Sequence, residues 1–462
     1  MIVSFSISNF RSFLGEETLS FVASKRLAGA HENHAVPIPG TTEKVLRTGV
    51  LYGANGAGKS NLFKALQFVE QTATKSRNKD SGTGREAFRF GGSPQDFSTF
   101  DLQLIAKDKL YRFGLKLDEQ QINEEWLLQV DGSREKVIYE RSTDRQGNVT
   151  VELGGAKSAP EKLKALATVG GPQNQSFLAT IGATLKASDY SEDLAAVIEW
   201  FGNLNLIEPE SVAPGLGQSL ESDSAFNEFA GEFLKSASTG VDHLRVNKTE
   251  IPESDVKKMI PERILKAFLD RLGTDGVTAV GLEGPTGEFL IEHTDKNHYY
   301  RFAIEAAHEH TPGQVVTLDF SEESDGTQRL LNLIPALYHL STEPAVYFID
   351  EIDRSLHPIL IWKFLEYFLR SCKEGRQQVI LTTHESNLLD LALLRRDEIW
   401  FAEKDDKGAT RLYSLSDFKV RKDLEIRKHY LQGRFGAVPF LGGLDRLLEE
   451  QKTSHEPTPK EA

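Results

Sequence analysis

Residues 53–60 read Gly-Ala-Asn-Gly-Ala-Gly-Lys-Ser, a glycine-rich run that ends in a lysine and a serine. Glycine carries no Cβ, so a backbone of this composition can turn its N–H groups toward a bound phosphate. We expect Lys59 to contact the β- and γ-phosphates of a nucleotide and the Ser60 hydroxyl to bind magnesium. The residues predicted to bind the nucleotide are Gly53, Asn55, Gly56, Gly58, Lys59, Ser60 and Asn61.

The sequence on both sides of this loop supports the same interpretation. Residues 45–52 are apolar and β-branched, which predicts a strand, and a helix is expected from Lys59 to about Gln71. A phosphate loop requires this order of strand, loop and helix, because the positive end of the helix then faces the phosphates. A chance glycine-rich turn is the alternative, and the flanking elements disfavour it.

A second motif lies near the other end of the chain, where residues 345–351 read Ala-Val-Tyr-Phe-Ile-Asp-Glu. The apolar run predicts a buried parallel strand, and the strand ends at two adjacent carboxylates. We expect Asp350 to hold magnesium through water and Glu351 to orient the attacking water as a general base. Two acids at the end of a strand can also be structural. Together with the phosphate loop, they predict a site of nucleotide hydrolysis.

Three further short sequences resemble the ABC-type ATPases. Residues 324–328, Ser-Asp-Gly-Thr-Gln, look like a variant of the signature motif of that family. Residues 353–358, Asp-Arg-Ser-Leu-His-Pro, are similar to the loop that runs between its subunits. Residues 379–384 read as a strand followed by His384, which resembles the family's switch histidine.

This resemblance implies that two copies of the chain share each nucleotide. Ser324, Gly326 and Gln328 of one copy would face the γ-phosphate held by the other, with Asp353 in the loop between subunits. His384 would contact the γ-phosphate and the catalytic carboxylate. From the residues alone, an ordinary helix cap also explains residues 324–328, and a single histidine is usually structural. No local context selects Gln95 or Gln103 as the family's magnesium-site glutamine, so that position stays unassigned.

Longer stretches look like the stand-alone, SMC-like ATPases of bacterial abortive-infection and anti-phage systems, and this resemblance spans nearly the whole chain. It rests on Phe10-Arg11-Ser12-Phe13 and on residues 323–328, 394–401 and 430–439. The implied fold class is α/β: an ABC-type, SMC-like P-loop head with an antiparallel β subdomain and an inserted α-helical domain. ATP and Mg²⁺ are the implied cofactors. The implied partners are a second copy, with a larger oligomer left open, and a separate effector such as a toxin or nuclease.

Hydrophobic periodicity predicts where the antiparallel strands and the helical insert lie in the chain. Alternating residues between 97 and 151 predict antiparallel strands, and helical spacing between 161 and 238 predicts the insert. We therefore expect four parts: an N-terminal lobe at 1–155, a helical insert at 156–275, a C-terminal lobe at 276–451 and a tail without periodicity at 452–462.

Composition excludes several classes of protein. The chain has 462 residues, one cysteine and a formal net charge of −14. One cysteine excludes an internal disulfide, and the negative charge argues against a surface devoted to non-specific nucleic-acid binding, although a local basic groove stays open. No run of apolar residues is long enough to cross a membrane, and no secretory signal opens the sequence. A cytoplasmic ATPase without membrane contact is therefore expected.

Three functions compete at this point. The leading one is an ATPase whose head dimer closes on ATP and regulates an effector. The second makes the chain itself a nuclease, but the sequence after His384 is short for an added domain. The third is an SMC-like protein that binds DNA, although acidic residues outnumber basic ones in 161–238. Nucleic-acid binding through Arg11, Arg395 or Arg396 stays open, with solvated salt bridges as the alternative role of these arginines.

Overall fold

The computed structural model describes residues 1–90, 97–213, 215–269, 279–284, 287–293, 297–311, 314–340, 344–371, 375–419 and 425–438. The predicted tail and Gln95 lie outside these ranges. Contacts divide the chain into two compact units. Unit 1 contains Met1–Leu206, Phe348–Glu351 and Gln378–Ala462, and unit 2 contains Ile207–Tyr347 and Ile352–Gln377. The range 156–275, predicted to be one helical insert, is therefore shared between the two units.

The helices and strands follow one another along the whole described chain. The strands are β1 (Ile2–Ser8), β2 (Glu17–Ser20), β3 (Ala35–Pro37), β4 (Lys44–Leu46), β5 (Thr48–Tyr52), β6 (Ser98–Ala106), β7 (Lys109–Leu117), β8 (Ile122–Asp131), β9 (Arg134–Thr143), β10 (Val149–Leu153), β11 (Leu204–Ile207), β12 (His243–Glu250), β13 (Ala279–Gly284), β14 (Gly287–His293), β15 (Asn297–Thr311), β16 (Gln314–Asp319), β17 (Val346–Ile349), β18 (Gln378–Thr382), β19 (Ile399–Lys404) and β20 (Thr410–Ser414). The α-helices are α1 (Lys59–Thr74), α2 (Glu161–Val169), α3 (Phe177–Thr184), α4 (Glu192–Gly202), α5 (Leu216–Ser222), α6 (Ser224–Ser236), α7 (Glu253–Met259), α8 (Glu262–Leu269), α9 (Asp325–Leu340), α10 (Pro358–Ser371) and α11 (Ile426–Leu431). Within the described ranges, no helix combines the length and apolar character that crossing a membrane requires.

The predicted antiparallel subdomain is a sheet of seven strands in unit 1, in the order β10-β9-β8-β7-β6-β1-β2. Every second residue of β6 is buried at Phe100, Leu102 and Leu104, as expected where one face of a sheet covers a core. The loop between β6 and β7 consists of Lys107 and Asp108, both left-handed, with φ of 42° and 60°. A two-residue turn of this kind matches the twist of the strands that it joins.

A second sheet carries the predicted motifs, in the order β11-β17-β18-β5-β19-β20. Strand β5 pairs in parallel with β18 on one side and with β19 on the other. All residues of β5 and β18 are buried, as is usual for parallel strands covered on both faces. The predicted fold class, α/β with a phosphate loop and an antiparallel subdomain, is confirmed.

Helix α1 lies between these two sheets. The Phe63 ring meets Phe348 of β17 edge to face, with 5.3 Å between the ring centroids. One turn further along, the Phe68 ring lies 5.3 Å from that of Phe100 in the seven-stranded sheet. The helix that begins at Lys59 is therefore held on two sides, and its first turn has a fixed position.

Unit 2 combines a second antiparallel sheet with helices. Strands β12, β15, β14 and β13 are neighbours in that order, and β16 also pairs with β15. Helix α9 packs its apolar side against α5 and α6 in one core, which includes Leu220, Phe226, Leu234, Leu331 and Ile334. The N-terminal end of α9 is the segment that resembles a signature motif.

A buried glutamate connects α3 to the seven-stranded sheet. The Glu125 carboxylate accepts hydrogen bonds from the hydroxyls of Tyr139 (2.7 Å) and Ser176 (2.8 Å) and from the backbone N–H of Phe177 (2.8 Å). Arg141 Nε lies 3.9 Å from the same carboxylate, and neither charged side chain is exposed. Burial, reinforced by the Glu125 charge, raises the pKa of the Tyr139 hydroxyl well above its usual value, so it stays a donor.

We expect Glu125→Gln to lower the free energy of unfolding by about 3–5 kcal/mol, because it leaves the Arg141 guanidinium buried without its counter-charge. Urea unfolding measures this loss. The matched control is Glu124→Gln on the same strand, whose carboxylate is 54% exposed and pairs with Lys116 at 2.7 Å. That surface pair is worth less than about 1 kcal/mol, so equal losses in the two variants would contradict the prediction.

Candidate nucleotide-binding site

The three chemical motifs of unit 1 lie at the ends of three neighbouring strands. Strands β5 and β18 are parallel, so the phosphate loop after β5 and His384 after β18 lie at the same edge of the sheet. The end of β17 reaches this edge too, because the backbone N–H of Glu351 donates to the Thr382 hydroxyl at 2.8 Å. Ligands of open α/β sheets bind at this carboxyl edge.

The phosphate loop folds around the side chain of Lys59. Lys59 is the first residue of α1 and is only 5% exposed. Its ammonium donates to the backbone carbonyls of Gly53 at 2.8 Å and Ala54 at 3.4 Å. Asn55 and Gly56 form the exposed tip of the loop, and Ser60 and Asn61 continue into the first turn of α1. The loop therefore places a positive charge beside backbone N–H groups and a helix N-terminus, which suits an anion.

Two residues not predicted from the sequence, Ser12 and Thr410, pack against the phosphate loop. Gly58 has φ of 114°, and a Cβ at this position would lie 2.1 Å from the Thr410 hydroxyl oxygen. That oxygen is 2.8 Å from both Ser12 Oγ and the Ala57 carbonyl oxygen. Gly58 is thus required by close packing as well as by its left-handed backbone. Ser12 belongs to the Phe-Arg-Ser-Phe stretch noted above, whereas no local signal indicates Thr410.

His384 contacts the phosphate-loop lysine directly. Lys59 Nζ lies 3.0 Å from His384 Nε2. An ammonium group has donors only, so Nε2 is the acceptor and carries no proton in this hydrogen bond. His384 is exposed at this edge of the sheet. The structure therefore brings the predicted switch histidine and the predicted phosphate-binding lysine together.

The two acidic residues at the end of β17, Asp350 and Glu351, differ in burial and in backbone conformation. Asp350 is 4% exposed, and its Oδ1 accepts a hydrogen bond of 2.5 Å from the Thr382 hydroxyl. Glu351 is half-buried and has left-handed backbone with φ of 47°. The hydroxyl of Ser60 and the carboxylate of Asp350 are hard oxygen donors, which is the donor set that Mg²⁺ prefers. These residues fit the predicted metal.

The signature-like segment and the predicted intersubunit loop lie together in unit 2. Ser324 is exposed, and its hydroxyl accepts from the Thr327 backbone N–H at 3.2 Å, so it caps α9. Gln328 donates back to the Glu323 carbonyl at 2.8 Å. A Cβ on Gly326 would lie 2.7 Å from the Ser355 carbonyl oxygen, so the loop that contains Asp353 packs on this glycine.

One of the arginines left open for nucleic-acid binding is not at the surface. Arg395 is 3% exposed, and its guanidinium forms a bidentate ion pair with Asp397 at 2.9 and 2.7 Å. It also donates to the carbonyls of Leu27 and Ala30. Nucleic-acid binding and a solvated salt bridge, the two alternatives for Arg395, both require a surface position, and both are wrong because a bidentate partner and two carbonyls satisfy its buried charge. Arg11 forms a salt bridge with Glu86 at 2.5 Å.

The chain matches one protein family over residues 50–152 and 177–390. The family is described as "AAA domain, putative AbiEii toxin, Type IV TA system". The matched ranges contain the phosphate loop, both carboxylates, the signature-like segment and His384. None of the curated proteins compared with the chain matches it.

Three solved structures are similar to the chain at low sequence identity. An SMC head bound to the C-terminal winged-helix domain of ScpA has 15% identity and a TM-score of 0.40, and the alignment covers 89% of this chain and 97% of that one. The SMC head domain from Thermotoga maritima has 12% identity and a TM-score of 0.37, with 89% and 98% covered. An SMC head with an extended coiled coil, bound to the C-terminal domain of ScpA from Pyrococcus furiosus, has 13% identity and a TM-score of 0.35, with 89% and 96% covered.

Proposed function

This chain belongs to the AAA-domain family of AbiEii-type, Type IV toxin–antitoxin proteins, and we propose that it is an ABC-type ATPase that regulates an effector in anti-phage defence. One observation carries the ATPase part of the proposal. Lys59, the Asp350–Glu351 pair and His384 lie at the ends of neighbouring strands in one sheet. A phosphate-binding cation, two carboxylates and a histidine at one sheet edge supply the groups that triphosphate hydrolysis needs.

Binding of ATP begins with the phosphate loop. The β- and γ-phosphates bind to the backbone N–H groups of residues 53–60 and to the Lys59 ammonium, at the N-terminus of α1. Ser60 and, through water, Asp350 would hold Mg²⁺, and the ion would supply positive charge to offset the charge of the phosphates. Asn61 follows Ser60 in the first turn of α1, and we assign its side-chain amide to nucleotide binding as well.

Hydrolysis requires a water molecule aligned with the γ-phosphate. We assign its orientation to the Glu351 carboxylate, which accepts the proton of the water as the oxygen attacks phosphorus. The bond to the β-phosphate oxygen breaks, and ADP leaves with that oxygen. The Lys59 ammonium stabilises the charge on the γ-phosphate oxygens by donating hydrogen bonds, and His384, which accepts a hydrogen bond from Lys59, holds the ammonium in this position.

Two copies of the chain complete each site in this proposal. Ser324 is exposed at the start of α9, and Gly326 lets the loop of Asp353 approach closely. Both segments face the nucleotide of the second copy, so each closed dimer contains two ATP molecules. ATP favours closure because it gains these contacts in the closed state only. Hydrolysis removes them, the dimer opens, and a bound effector is held differently in the two states.

Mixing two inactive variants tests the shared site. Lys59→Ala damages one half of each site and Ser324→Arg damages the other, so each variant alone is expected to hydrolyse no ATP. In a mixed dimer, the intact phosphate loop of one chain faces the intact Ser324 of its partner. In an equal mixture about half of the dimers are mixed, and each mixed dimer has one intact site of two. Phosphate release is therefore expected to reach about one quarter of the parent rate.

The control for this experiment mixes each variant with itself at the same total concentration. Activity that appears only in the mixture supports sites shared between copies. A mixture as inactive as either component would count against the ATP-bound dimer, although not against ATP hydrolysis by a single chain.

A further inference from the structure

The side chain of Thr382 connects the two acidic residues to the strand that precedes His384. Thr382 is the last residue of β18 and is 0% exposed. Its hydroxyl lies 2.5 Å from Asp350 Oδ1 and 2.8 Å from the backbone nitrogen of Glu351. No sequence motif indicated a role for this residue.

We infer that Thr382 is a positioning residue for hydrolysis, whose hydroxyl fixes both Asp350 and the backbone of Glu351. This inference rests on the proposed ATPase function and adds a residue to it. Thr382 does not contact the reacting atoms. It acts through the two carboxylates that do.

The donors and acceptors allow one arrangement. A threonine hydroxyl has one proton, and Thr382 Oγ1 donates it to Asp350 Oδ1. A lone pair on Oγ1 then accepts the N–H of Glu351. One buried hydroxyl therefore satisfies a carboxylate oxygen on one side and a backbone N–H on the other, and both would be left without that partner by its removal.

The backbone of Glu351 explains why this link matters for catalysis. Glu351 has φ of 47°, in the left-handed region that a glutamate rarely occupies. The hydrogen bond to Thr382 holds the Asp350–Glu351 peptide in this conformation and so sets the direction of the Glu351 side chain. A general base displaced by about 1 Å loses on the order of a hundredfold in rate.

The same strand end is fixed against the phosphate-loop strand. The backbone N–H of Thr383 donates to the Leu51 carbonyl at 3.1 Å, and His384, the next residue, contacts Lys59 at 3.0 Å. Residues 382–384 thus join the carboxylates, the phosphate-loop strand and the lysine. Thr382 is the member of this group that reaches the general base.

The test compares Thr382→Val, which removes the hydroxyl and keeps the shape, with Thr382→Ser, which keeps the hydroxyl. We expect kcat of Thr382→Val to fall by about ten- to a hundredfold, with the ATP dissociation constant, measured by equilibrium binding, within about threefold of the parent. Thr382→Ser is expected to restore most of kcat.

Thr48→Val is the matched control: Thr48 is also 0% exposed, on β5, and its hydroxyl donates to the Val379 carbonyl of β18 at 2.8 Å. It should keep the parent kcat.

The outcomes separate this inference from the proposed function. Parent kcat in Thr382→Val, or equal losses in Thr382→Ser and Thr382→Val, would overturn the role of the hydroxyl while the ATPase stands. A parent chain that neither binds nor hydrolyses ATP would overturn both. If Thr382→Val does not fold, Thr382→Ala replaces it, with circular dichroism to show that it is folded, and the comparison with Thr382→Ser decides in the same way.

Discussion

Glu351→Gln is expected to stop hydrolysis while ATP still binds. Glutamine keeps the shape of the side chain and, through its backbone, the hydrogen bond to Thr382, but it cannot accept the proton of the attacking water. We expect kcat to fall by about 10²- to 10⁴-fold, the range usual for loss of a general base. Phosphate release measures the rate. Light scattering with ATP should show dimers that accumulate because they cannot reopen.

A matched control separates loss of the base from loss of charge. Glu161→Gln removes a carboxylate that is 89% exposed and pairs with Lys164 on α2. It is expected to hydrolyse ATP like the parent chain. If Glu351→Gln hydrolysed ATP at the parent rate, Glu351 would not be the general base.

Lys59→Ala is expected to abolish nucleotide binding. The ammonium lies inside the phosphate loop, where it supplies a positive charge and hydrogen-bond donors that alanine lacks. Charge-assisted hydrogen bonds are worth about 1.5–3 kcal/mol each, so losing two of them weakens ATP binding by at least about a hundredfold. A fluorescent ATP analogue measures this affinity. The proposed role in anti-phage defence further predicts that phage plating efficiency rises to that of cells without the chain.

Lys64→Ala is the control on the same helix. Lys64 is half-buried on α1, beyond the first turn that faces the phosphates. We expect this variant to bind ATP like the parent and, under the proposed role in defence, to leave phage plating as it is with the parent. Normal ATP affinity in Lys59→Ala would show that the nucleotide binds elsewhere on the chain.

The sequence predicted the parts of the site that are local. The phosphate loop, the Asp350–Glu351 pair and His384 each follow an apolar strand, so a short window reveals both the strand and the chemical group at its end. Neighbouring parallel strands then bring these groups to one edge. Short-range sequence patterns are therefore sufficient to predict these motifs.

The supporting residues could not be predicted in this way, because their partners are distant in the chain. Thr410 and Ser12 are 398 positions apart, and Arg395 bonds to carbonyls more than 360 positions away. A charged residue in a sequence is usually solvated, so the sequence predicts a surface position for Arg395. Only the fold shows that Asp397 and two carbonyls enclose it. The bounds of the two units could not be predicted for the same reason, because contacts between distant segments define them and local periodicity does not.

The contact between Ser12 and Thr410 has a consequence for how the chain is made. Synthesis proceeds from the N-terminus, so the glycine-rich loop leaves the ribosome long before β20 exists. The contact forms only after Thr410, 353 positions beyond Ala57, has emerged, and such distant pairings form slowly. The phosphate loop is therefore expected to lack the contact with Thr410 until β20 has been synthesised.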